Sequence, residues 1–513
     1  MSWSQRLIDA LSANILTPLY ILRVTQVNDS PGVVGYVASS IPGFGDPIIG
    51  EDGVRVQGST LTPGTWATTI GGFTVDLAGN LRTLKQSIVR GTFVEVYIGF
   101  PGWRDTEYEV IAIGQVSQLS GRSPNHATLD CRDLIAALRS RPTRSVGRVS
   151  LGFRLSGGTT ITSTYHTGDT TVSLTSVSDF AYATGGQGAC LISPTGDDPF
   201  ILTFTGISGL DLTGVSSTAQ HGTTAVNANS GDSIQPVYWL NSHPIDAARY
   251  VLISQGDTTT SAYDTLSAGD GLGLPHDWID HDDCDSHRYA SNTVSGLQFE
   301  VTSQDPIDDI LGWLQGWLAC GGFYVTTRMG LLTVRSAQCS TTFGSGGTLR
   351  SVTLADQASI TDADIESIAW EAWDPDADTE ASDVAVISAG GQDTAGVESP
   401  STLPAVNQAQ YDASDLIFSD ESAARASILA RVWEAHQRVP ERYTLVLRGL
   451  SLARLASGDY ARITTTLVAG RLSNTINGLD NVRAIVTQVS PDFGAIRVRL
   501  AVVVYPLDDG VYP

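Results

Sequence analysis

Apolar and polar residues alternate with a period of two along much of this 513-residue chain, a pattern typical of half-buried β-strands. The clearest examples in the first third are Phe93–Phe100 and Tyr108–Leu119. A helical period occurs only in short stretches, such as Ser2–Ile15. Gly and Pro are frequent from Ser30 to Gly53 and predict a loop there. The pattern therefore predicts a β-rich first unit over residues 1–148.

Composition changes at about Ser150. Charged residues almost vanish between residues 149 and 240, and Thr, Ser and Gly dominate. Short apolar stretches separated by glycines predict a small all-β module, inserted between its neighbours in the chain. Such a module can serve as a spacer or can bind a surface, and the sequence leaves both interpretations open.

Helical signals return in residues 241–345. Pro244 and Pro306 each stand where a helix begins, a position at which the missing N–H of proline does no harm. Two short apolar stretches, Phe323–Thr327 and Leu331–Arg335, flank a glycine-containing turn and predict a β-hairpin. This third unit is therefore predicted to be an α+β domain.

The last unit, residues 346–513, is again rich in predicted strands. It contains one strong helix pattern, Asp420–Gln437, followed by strand patterns such as Tyr443–Leu450, Val482–Val489 and Ala495–Val504. The whole chain is thus predicted to be mainly β with α+β, and multidomain. Its two end units are predicted to be tube-like β-barrel or sandwich domains.

Residues 1–148 and 346–513 share this rough plan of long alternating strands with one or two short helices. A duplicated domain within one chain has a geometric use. Three copies, each contributing two similar domains, can form a ring of nearly sixfold symmetry, which could dock on a sixfold tube.

Charge limits the classes of partner. The chain has 54 acidic and 30 basic residues, a formal net charge of −24. This balance argues against a protein that grips nucleic acid, because such proteins need a basic face. No apolar run approaches the roughly 20 residues of a membrane span, and the first residues lack the pattern of a signal peptide. We therefore expect a chain made in the cytoplasm, without a membrane span.

Enzyme motifs were sought and not found. The sequence has no phosphate-binding loop of the Walker type, no H-E-x-x-H and no G-x-S-x-G. A carboxylate pair for glycoside hydrolysis is not singled out by any signal. The five cysteines are scattered and never form C-x-x-C, which favours buried thiols over a disulfide scaffold or zinc site. The prediction is a protein that is not an enzyme and has no cofactor.

One dense group of metal-ligating residue types runs from His276 to His287. Carboxylates are hard oxygen donors that suit divalent cations, although the spacing fits no standard zinc or calcium loop. Two interpretations stay open, a surface loop with incidental ligands and a divalent cation site. The oxygen donors of the cation site would be Asp277, Asp280, Asp282, Asp283 and Asp285.

In order and texture, five stretches of the chain resemble the central hub, or tail-tip baseplate, proteins of long-tailed bacteriophages and gene transfer agents. The stretches are TPGTW with GGFTVDLAG, VEVYIGFPG with ATLDCRDLIAAL, TTVSLTSVSDF with FTGISGLDLTGV, HPIDAARYVLIS with DPIDDILGWLQGWLACGGFYVTTRMGLLTV, and ILARVWEAHQRVPERYTLVLRGLSLARLASGDYARIT.

The resemblance implies a structural homotrimer in the virion, at the tail tip of a siphophage-like particle assembled in the bacterial cytoplasm. It implies two tube-like domains per chain that stack below the sixfold distal tail protein ring. The implied partners are that ring, the tape-measure protein, and tip, fibre or receptor-binding proteins. During ejection, DNA would pass through the enclosed channel without specific binding.

An alternative function is a particle-borne protein that binds or acts on carbohydrate at the host surface. The oligomeric state would separate the two hypotheses, since the hub requires a ring and the carbohydrate protein does not. An acidic channel wall would favour the hub further, because it would let DNA slide without binding.

Overall fold

Secondary structure in the computed structural model is mostly β-strand, spread over several sheets, which confirms the predicted mainly β fold class. The structure describes residues 3–13, 17–25, 34–41, 44–63, 65–88, 92–123, 125–139, 158–178, 180, 188–197, 199–219, 224–237, 244–252, 274–288, 297–299, 310–320, 322–337, 341–343, 349–351, 356–371, 383–388, 391–396, 408–412, 416–418, 421–436, 441–468 and 478–504. The predicted domain boundaries fall outside these residues.

The strands of the first unit are numbered in chain order. They are β1 (Leu19–Thr25), β2 (Val34–Ser39), β3 (Asp46–Pro47), β4 (Ile49–Gln57), β5 (Leu61–Thr62), β6 (Ala67–Thr68), β7 (Gly72–Ala78), β8 (Phe93–Gly99), β9 (Glu109–Ser123) and β10 (His126–Asp133). The strands β2 and β4 lie where the sequence predicted a loop from Ser30 to Gly53. That prediction was wrong, because the glycines and prolines there separate short apolar stretches that pair.

Seven short strands of the small module lie within the described residues. They are β11 (Thr159–Thr160), β12 (Thr171–Ser173), β13 (Gly188–Ser193), β14 (Phe200–Phe204), β15 (Gly206–Ser208), β16 (Asp211–Thr213) and β17 (Ser233–Val237). They form one sheet in the order β11, β17, β13, β14 and a second in the order β12, β16, β15. Between them lies a core of the module's own residues, which includes Phe180, Phe200 and Phe204.

The remaining strands belong to the second half of the chain. They are β18 (Leu297–Phe299), β19 (Phe323–Arg328), β20 (Leu331–Ser336), β21 (Thr341–Phe343), β22 (Leu349–Ser351), β23 (Ala358–Thr361), β24 (Ile365–Glu371), β25 (Asp383–Ser388), β26 (Gly391–Gly396), β27 (Gln408–Asp412), β28 (Leu416–Phe418), β29 (Glu441–Arg448), β30 (Tyr460–Thr465), β31 (Leu479–Asp492) and β32 (Arg497–Val504). The antiparallel pair β19 and β20 is the predicted hairpin.

The α-helices are few and short. They are α1 (Gln5–Ser12), α2 (Arg82–Ser87), α3 (Ile135–Arg139), α4 (Pro244–Leu252), α5 (His281–Arg288), α6 (Ile310–Cys320) and α7 (Glu421–His436). Pro244 begins α4 as predicted, α7 coincides with the strong helix pattern, and Pro306 lies outside the described residues. Among the helices that the structure describes, none combines the length and the apolar character needed to cross a bilayer.

A single 14-stranded sheet contains strands from both ends of the chain. In the first unit the neighbouring strands are β4, β7, β10, β9, β8 and β1, and in the last unit they are β24, β29, β32, β31, β30 and β23. Numbered among these six strands of each unit, both orders are second, third, sixth, fifth, fourth and first. The units differ at the end of this order, because β1 runs antiparallel to β8 and is followed by β2 and β3, whereas β23 runs parallel to β30. The two end units therefore share one strand order, and the described strands form an open path through both rather than two closed barrels.

One hydrophobic core serves both end units. It contains first-unit residues such as Val75 and Leu129 together with last-unit residues such as Leu445 and Leu500. Strands β7, β10 and β32 alternate buried with more exposed positions, and their buried side chains face this core. The alternation that predicted these strands from sequence is thus the alternation between the core face and the open face of the sheet.

Candidate functional site

The two end units match in residue register as well as in strand order. Across the second, third and sixth strands, the directly paired residues are Val54, Val75 and Leu129 in the first unit and Ile368, Leu445 and Leu500 in the last. The register between the second and third strands shifts in both units, between Ile49 and Val54 and between Ile365 and Ser367. The shift comprises three extra residues in β4 and one in β24, so the two units share its place in the second strand but not its size. A shared register with a shift at the same place is typical of a duplicated unit.

The connection after the third strand is also shared. Gly79 follows β7 with a φ of 110°, and Gly449 follows β29 with a φ of 75°. Both values lie in the region that favours glycine. At each of these two positions the backbone can therefore turn sharply toward the next short helical segment. That segment is α2 in the first unit and the 3₁₀ turn Ser451–Arg454 in the last.

The two units join where the tip of the β31–β32 hairpin meets the outer edge of β4. Arg55 of β4 pairs with Asp492 of β31, and Arg55 Nε lies 3.4 Å from Asp492 Oδ2. The N–H of Phe493 donates to the carbonyl of Val54 at 2.9 Å. The hairpin of the last unit thereby extends the sheet of the first.

Gly58, just after β4, brings the backbones closest together at this junction. Its carbonyl accepts a hydrogen bond from Gln488 Nε2 at 2.9 Å, and its N–H donates to Ser490 Oγ at 3.3 Å. A Cβ at Gly58 would lie 2.1 Å from the carbonyl oxygen of Val489. The approach of the two units therefore depends on glycine at this position.

The β19–β20 hairpin contacts both end units. Toward the first unit, Thr326 Oγ1 lies 2.9 Å from Ser59 Oγ, and Thr68 Oγ1 donates to the carbonyl of Val325 at 2.7 Å. Toward the last unit, Tyr324 OH donates to the carbonyl of Ser457 at 3.1 Å. These buried polar contacts fix the hairpin against the joined sheet, since each group would be costly to leave unpaired.

The predicted group from His276 to His287 is not a loop. It forms the 3₁₀ turn His276–Trp278 and helix α5, and Asp280, Asp283 and Cys284 are buried. The surface-loop interpretation was therefore wrong. The segment packs against the protein because Trp278, Ile279 and Cys284 are buried apolar residues. Asp277 and Asp282, which are interspersed with them in the sequence, are exposed.

Three of the five predicted oxygen donors contact arginine side chains. Asp280 and Asp283 lie 3.1 Å and 3.3 Å from Arg328 Nη1, and Asp285 pairs with Arg249. Within the described ranges, no group of three or more His, Cys, Asp or Glu side chains is arranged to hold a metal ion. The arginine side chains thus occupy the positions beside Asp280, Asp283 and Asp285 that a metal ion would need.

Asp283 is the centre of a buried charge network. Arg335 Nε and Nη2 donate to its two carboxylate oxygens at 2.7 Å and 2.8 Å, and Arg335 Nη1 donates to Asp459 at 2.8 Å. Burial opposes ionisation of Asp283, but the Arg335 guanidinium outweighs it and holds the pKa of that carboxyl well below its usual range. Because Asp459 precedes β30, this network ties α5 and β20 to the last unit.

Two histidines of the group are held neutral. Burial, aided by the nearby Arg335, lowers the pKa of His287 to about 4. Burial, aided by His276 and Arg249, lowers the pKa of His281 to about 4. The rings of His276 and His281 stack with centroids 3.9 Å apart. At neutral pH His281 and His287 therefore act as packing groups rather than as cations.

The first unit contributes one more buried acid near the junction. Asp133, at the end of β10, accepts from the N–H groups of Gly71 at 2.9 Å and Ile135 at 3.1 Å, and so caps α3. Burial raises its pKa to about 7, against the opposing effect of these backbone donors. Asp133 lines a small recess of about 40 Å³, together with residues of the last unit such as Val489.

Sequence reasoning named the carboxylates of this region but not their partners. Arg249, Arg328 and Arg335 come from α4 and the hairpin, far from the acidic group in the chain. A general signal was present, since the almost exclusive use of arginine for basic residues suits fixed ion pairs at interfaces. The cysteine prediction is confirmed for Cys131, Cys190 and Cys284, which are free and buried.

Comparisons with known proteins were made with the sequence and with the fold. No protein-family model matches the chain, and no curated protein matches it. Among solved structures, it is similar to the 43 kDa tail protein of prophage MuSo2 from Shewanella oneidensis, with a TM-score of 0.37 and 10% identity over 95% of this chain and 98% of that one.

Two further solved structures are similar to it. One is the prophage tail protein gp18 from Listeria monocytogenes EGD-e, with a TM-score of 0.34 and 9% identity over 94% of each chain. The other is a chain of the virion of a native gene transfer agent particle, with a TM-score of 0.18 and 15% identity over 45% of this chain and 84% of that one. All three TM-scores are below 0.5.

Proposed function

We propose that this chain is a structural protein of a bacteriophage-type tail, and that it forms the hub at the tail tip. In this proposal three copies form a ring that joins the sixfold tail tube to the tip. The observation that carries the proposal is the duplication: the two end units share the order of six strands, the residue pairing across the second, third and sixth strands, and a one-residue bulge between the fifth and sixth. A chain that holds two like units is suited to adapting threefold to sixfold symmetry.

The fixed relation of the two units supports this role. A hub must present equivalent surfaces to successive subunits of the tube, so its two units cannot rotate freely. The β4–β31 contact, the shared core and the contacts of the β19–β20 hairpin all restrict such rotation. The chain thus behaves as one rigid third of a ring.

The proposed partners follow from the position at the tip. They are the distal tail protein ring on one side, the tape-measure protein in the channel, and tip, fibre or receptor-binding proteins on the other side. The proposed location is the virion, with assembly in the host cytoplasm. The small module, with its own core, is available to face outward.

Charge on the open face of the joined sheet is mixed in sign. Arg448 and Arg497 lie directly opposite each other, and Arg497 Nη1 is 3.9 Å from Glu366 Oε1. Arg55 is paired with Asp492 at the junction. The surplus of carboxylates over the whole chain disfavours phosphate binding, in keeping with the proposal that DNA passes through the channel without being held.

The proposal is tested by the mass and shape of the purified full-length chain. Light scattering should give three times the chain mass of 54.3 kDa, and electron microscopy should show a ring with a central channel. The ring should bind a hexameric distal tail protein ring, and filter binding at low salt should detect no retention of duplex DNA. A monomer that depolymerises glycan would overturn the proposal in favour of the carbohydrate-active alternative.

A further inference from the structure

The edge of β4 is covered within the chain, whereas the equivalent edge of β24 is not covered by any strand that the structure describes. The tip of the β31–β32 hairpin covers β4 through Arg55, Val54 and Gly58. In the part of the chain that the structure describes, no strand pairs with the outer edge of β24. The duplication therefore leaves one copy of a two-sided contact unfilled.

The hairpin that would fill the edge is also present in duplicate. By their hairpin pairing, Gln118 and Ser120 of β9 occupy the positions of Gln488 and Ser490 of β31. These last two are the side chains that hydrogen-bond to Gly58 at the junction. The identical residue types recur at the equivalent positions of β9, where Gln118 is exposed.

Apolar side chains of β24 are more exposed than their counterparts in β4. Trp370 is 56% exposed, one of the few large apolar side chains so exposed among the described residues, while its counterpart Val56 is half-buried. Ile368 is half-buried, whereas its counterpart Val54 is fully buried. An exposed edge strand with an apolar surface is a ready site for pairing with another chain.

We propose that the edge of β24 binds the tip of the β9–β10 hairpin of a second copy of this chain, in the same way that β4 binds the β31–β32 hairpin. The contact is heterologous, because each copy offers the edge on one unit and the hairpin on the other, and its repetition closes a ring if the rotation permits. This inference rests on the proposed function, since it supplies the contact between copies in the ring.

The two hairpin tips differ in length. Strand β9 ends at Ser123 and β10 begins at His126, whereas β31 ends at Asp492 and β32 begins at Arg497. The contact between copies is therefore expected to rely on Gln118, Ser120 and the apolar cover of Trp370 rather than on a backbone donor like Phe493. Its strength depends on these side chains.

Engineered disulfides test the register of the proposed contact. Ala369 takes the place of Arg55, and Ser123, which forms the last pair of its hairpin, takes the place of Asp492. Directly opposed residues of antiparallel strands are close enough for a disulfide. A chain carrying Ala369→Cys and Ser123→Cys should give a three-chain covalent species on non-reducing gels. The matched chain with Arg55→Cys and Asp492→Cys should give only an internal disulfide.

A charge placed on the edge tests its role in assembly. Trp370→Asp should reduce the mass measured by light scattering from three chains to one, and Gln118→Ala should weaken assembly to a smaller extent. Leu210→Asp is the matched control, because Leu210 is 54% exposed and lies in the small module away from β24. It should keep the wild-type mass, and circular dichroism should show that all variants are folded.

The outcomes separate this inference from the proposed function. A three-chain ring that gives no cross-link between residues 369 and 123, and whose mass is unchanged by Trp370→Asp, would overturn the inference and leave the hub intact. A wild-type chain that stays monomeric would overturn both. Two results together would support the contact: a cross-link between residues 369 and 123 of different copies, and a ring that dissociates with Trp370→Asp but not with Leu210→Asp.

Discussion

Ser117 and Thr487 occupy the same bulge of the two duplicated units, and each makes the same hydrogen bond. Ser117 Oγ donates to the carbonyl of Asp130 at 2.9 Å, and Thr487 Oγ1 donates to the carbonyl of Ala501 at 3.1 Å. In each hairpin this residue is the one that the strand pairing skips. A bulge with a hydroxyl that satisfies the disrupted ladder is a specific device, and its recurrence extends the duplication to side-chain detail.

Removal of either hydroxyl should weaken its hairpin. Ser117→Ala and Thr487→Val should each lower the free energy of unfolding by about 0.5–1.5 kcal/mol, the usual contribution of one hydrogen bond. The effect should be larger for Thr487, because it is buried while Ser117 is half-buried. Urea denaturation followed by circular dichroism measures both values. Equal stability of wild type and both variants would show that the bulge hydroxyls do not stabilise the sheet.

Close approach at the junction gives a second prediction. Gly58→Ala would place a methyl group 2.1 Å from the carbonyl oxygen of Val489, so β4 and β31 must separate. We expect a loss of about 1–3 kcal/mol in the free energy of unfolding, as for other overpacked sites. Gly316→Ala is the control, because Gly316 is an exposed residue of α6 and a Cβ there meets nothing within 4 Å. Thermal melts that change equally in both variants would contradict the prediction.

The strands and hairpins could be predicted from sequence because their signals are local. A period of two in the sequence indicates the strands β8 and β9. The hairpin of β19 and β20 was predictable because only two residues, Met329 and Gly330, separate its two apolar strands. Helix α7 was equally accessible, since its apolar stripe extends over several turns.

Only the acidic residues of the candidate site could be predicted from sequence, because their arginine partners are distant in the chain. The acidic group from residue 276 to 287 was visible as composition, but Arg335 is 52 residues from Asp283 and Asp459 is 124 residues from Arg335. Tertiary folding alone decides that an arginine, rather than a metal ion, meets Asp280, Asp283 and Asp285. For the same reason the sequence showed a rough repeat but not the shared register.

The buried Asp133 makes stability depend on pH in a defined direction. Its pKa of about 7 in the folded chain exceeds the value of about 3.9 for an unfolded aspartate. The folded chain therefore binds the proton more tightly, so this contribution is full below about pH 4 and is lost as the pH rises to about 7. Asp133→Asn should remove up to about 1.4 kcal/mol per pH unit of that slope.

Chemical denaturation at a series of pH values measures the slope. The matched control is Asp480→Asn, which changes an exposed aspartate of β31 and should leave the pH dependence of wild type unaltered. The decisive quantity is the slope of unfolding free energy against pH, compared between Asp133→Asn and wild type from pH 4 to 7. The absolute stabilities are less informative, because the asparagine side chain has one acceptor oxygen fewer for the backbone N–H groups at every pH. Parallel profiles for Asp133→Asn and wild type would refute the assignment.

The Asp283 network gives a pH effect of the opposite sign. Its depressed pKa contributes stability above the unfolded value of about 3.9, and that contribution is lost as the pH falls further. At neutral pH, Asp283→Asn should cost about 3–5 kcal/mol in the free energy of unfolding, because it leaves Arg335 buried with one carboxylate instead of two. Asp282→Asn, one residue away and exposed, should cost less than about 0.5 kcal/mol. Similar losses in the two variants would show that the network does not hold α5 in place.

The small module should be separable from the rest of the chain. Strands β11 and β17 pair with each other, Thr159 opposite Ile234, so the chain enters and leaves the module at one place. Its core is formed by its own residues, among them Tyr165, Phe180 and Leu212. We expect a chain in which residues 158–237 are replaced by a short Gly/Ser linker to keep the mass and the thermal melt of wild type. We also expect the fragment 158–237 to unfold cooperatively by itself. A shortened chain that aggregates, together with a fragment that shows no cooperative transition, would establish that the module and the joined sheet depend on each other.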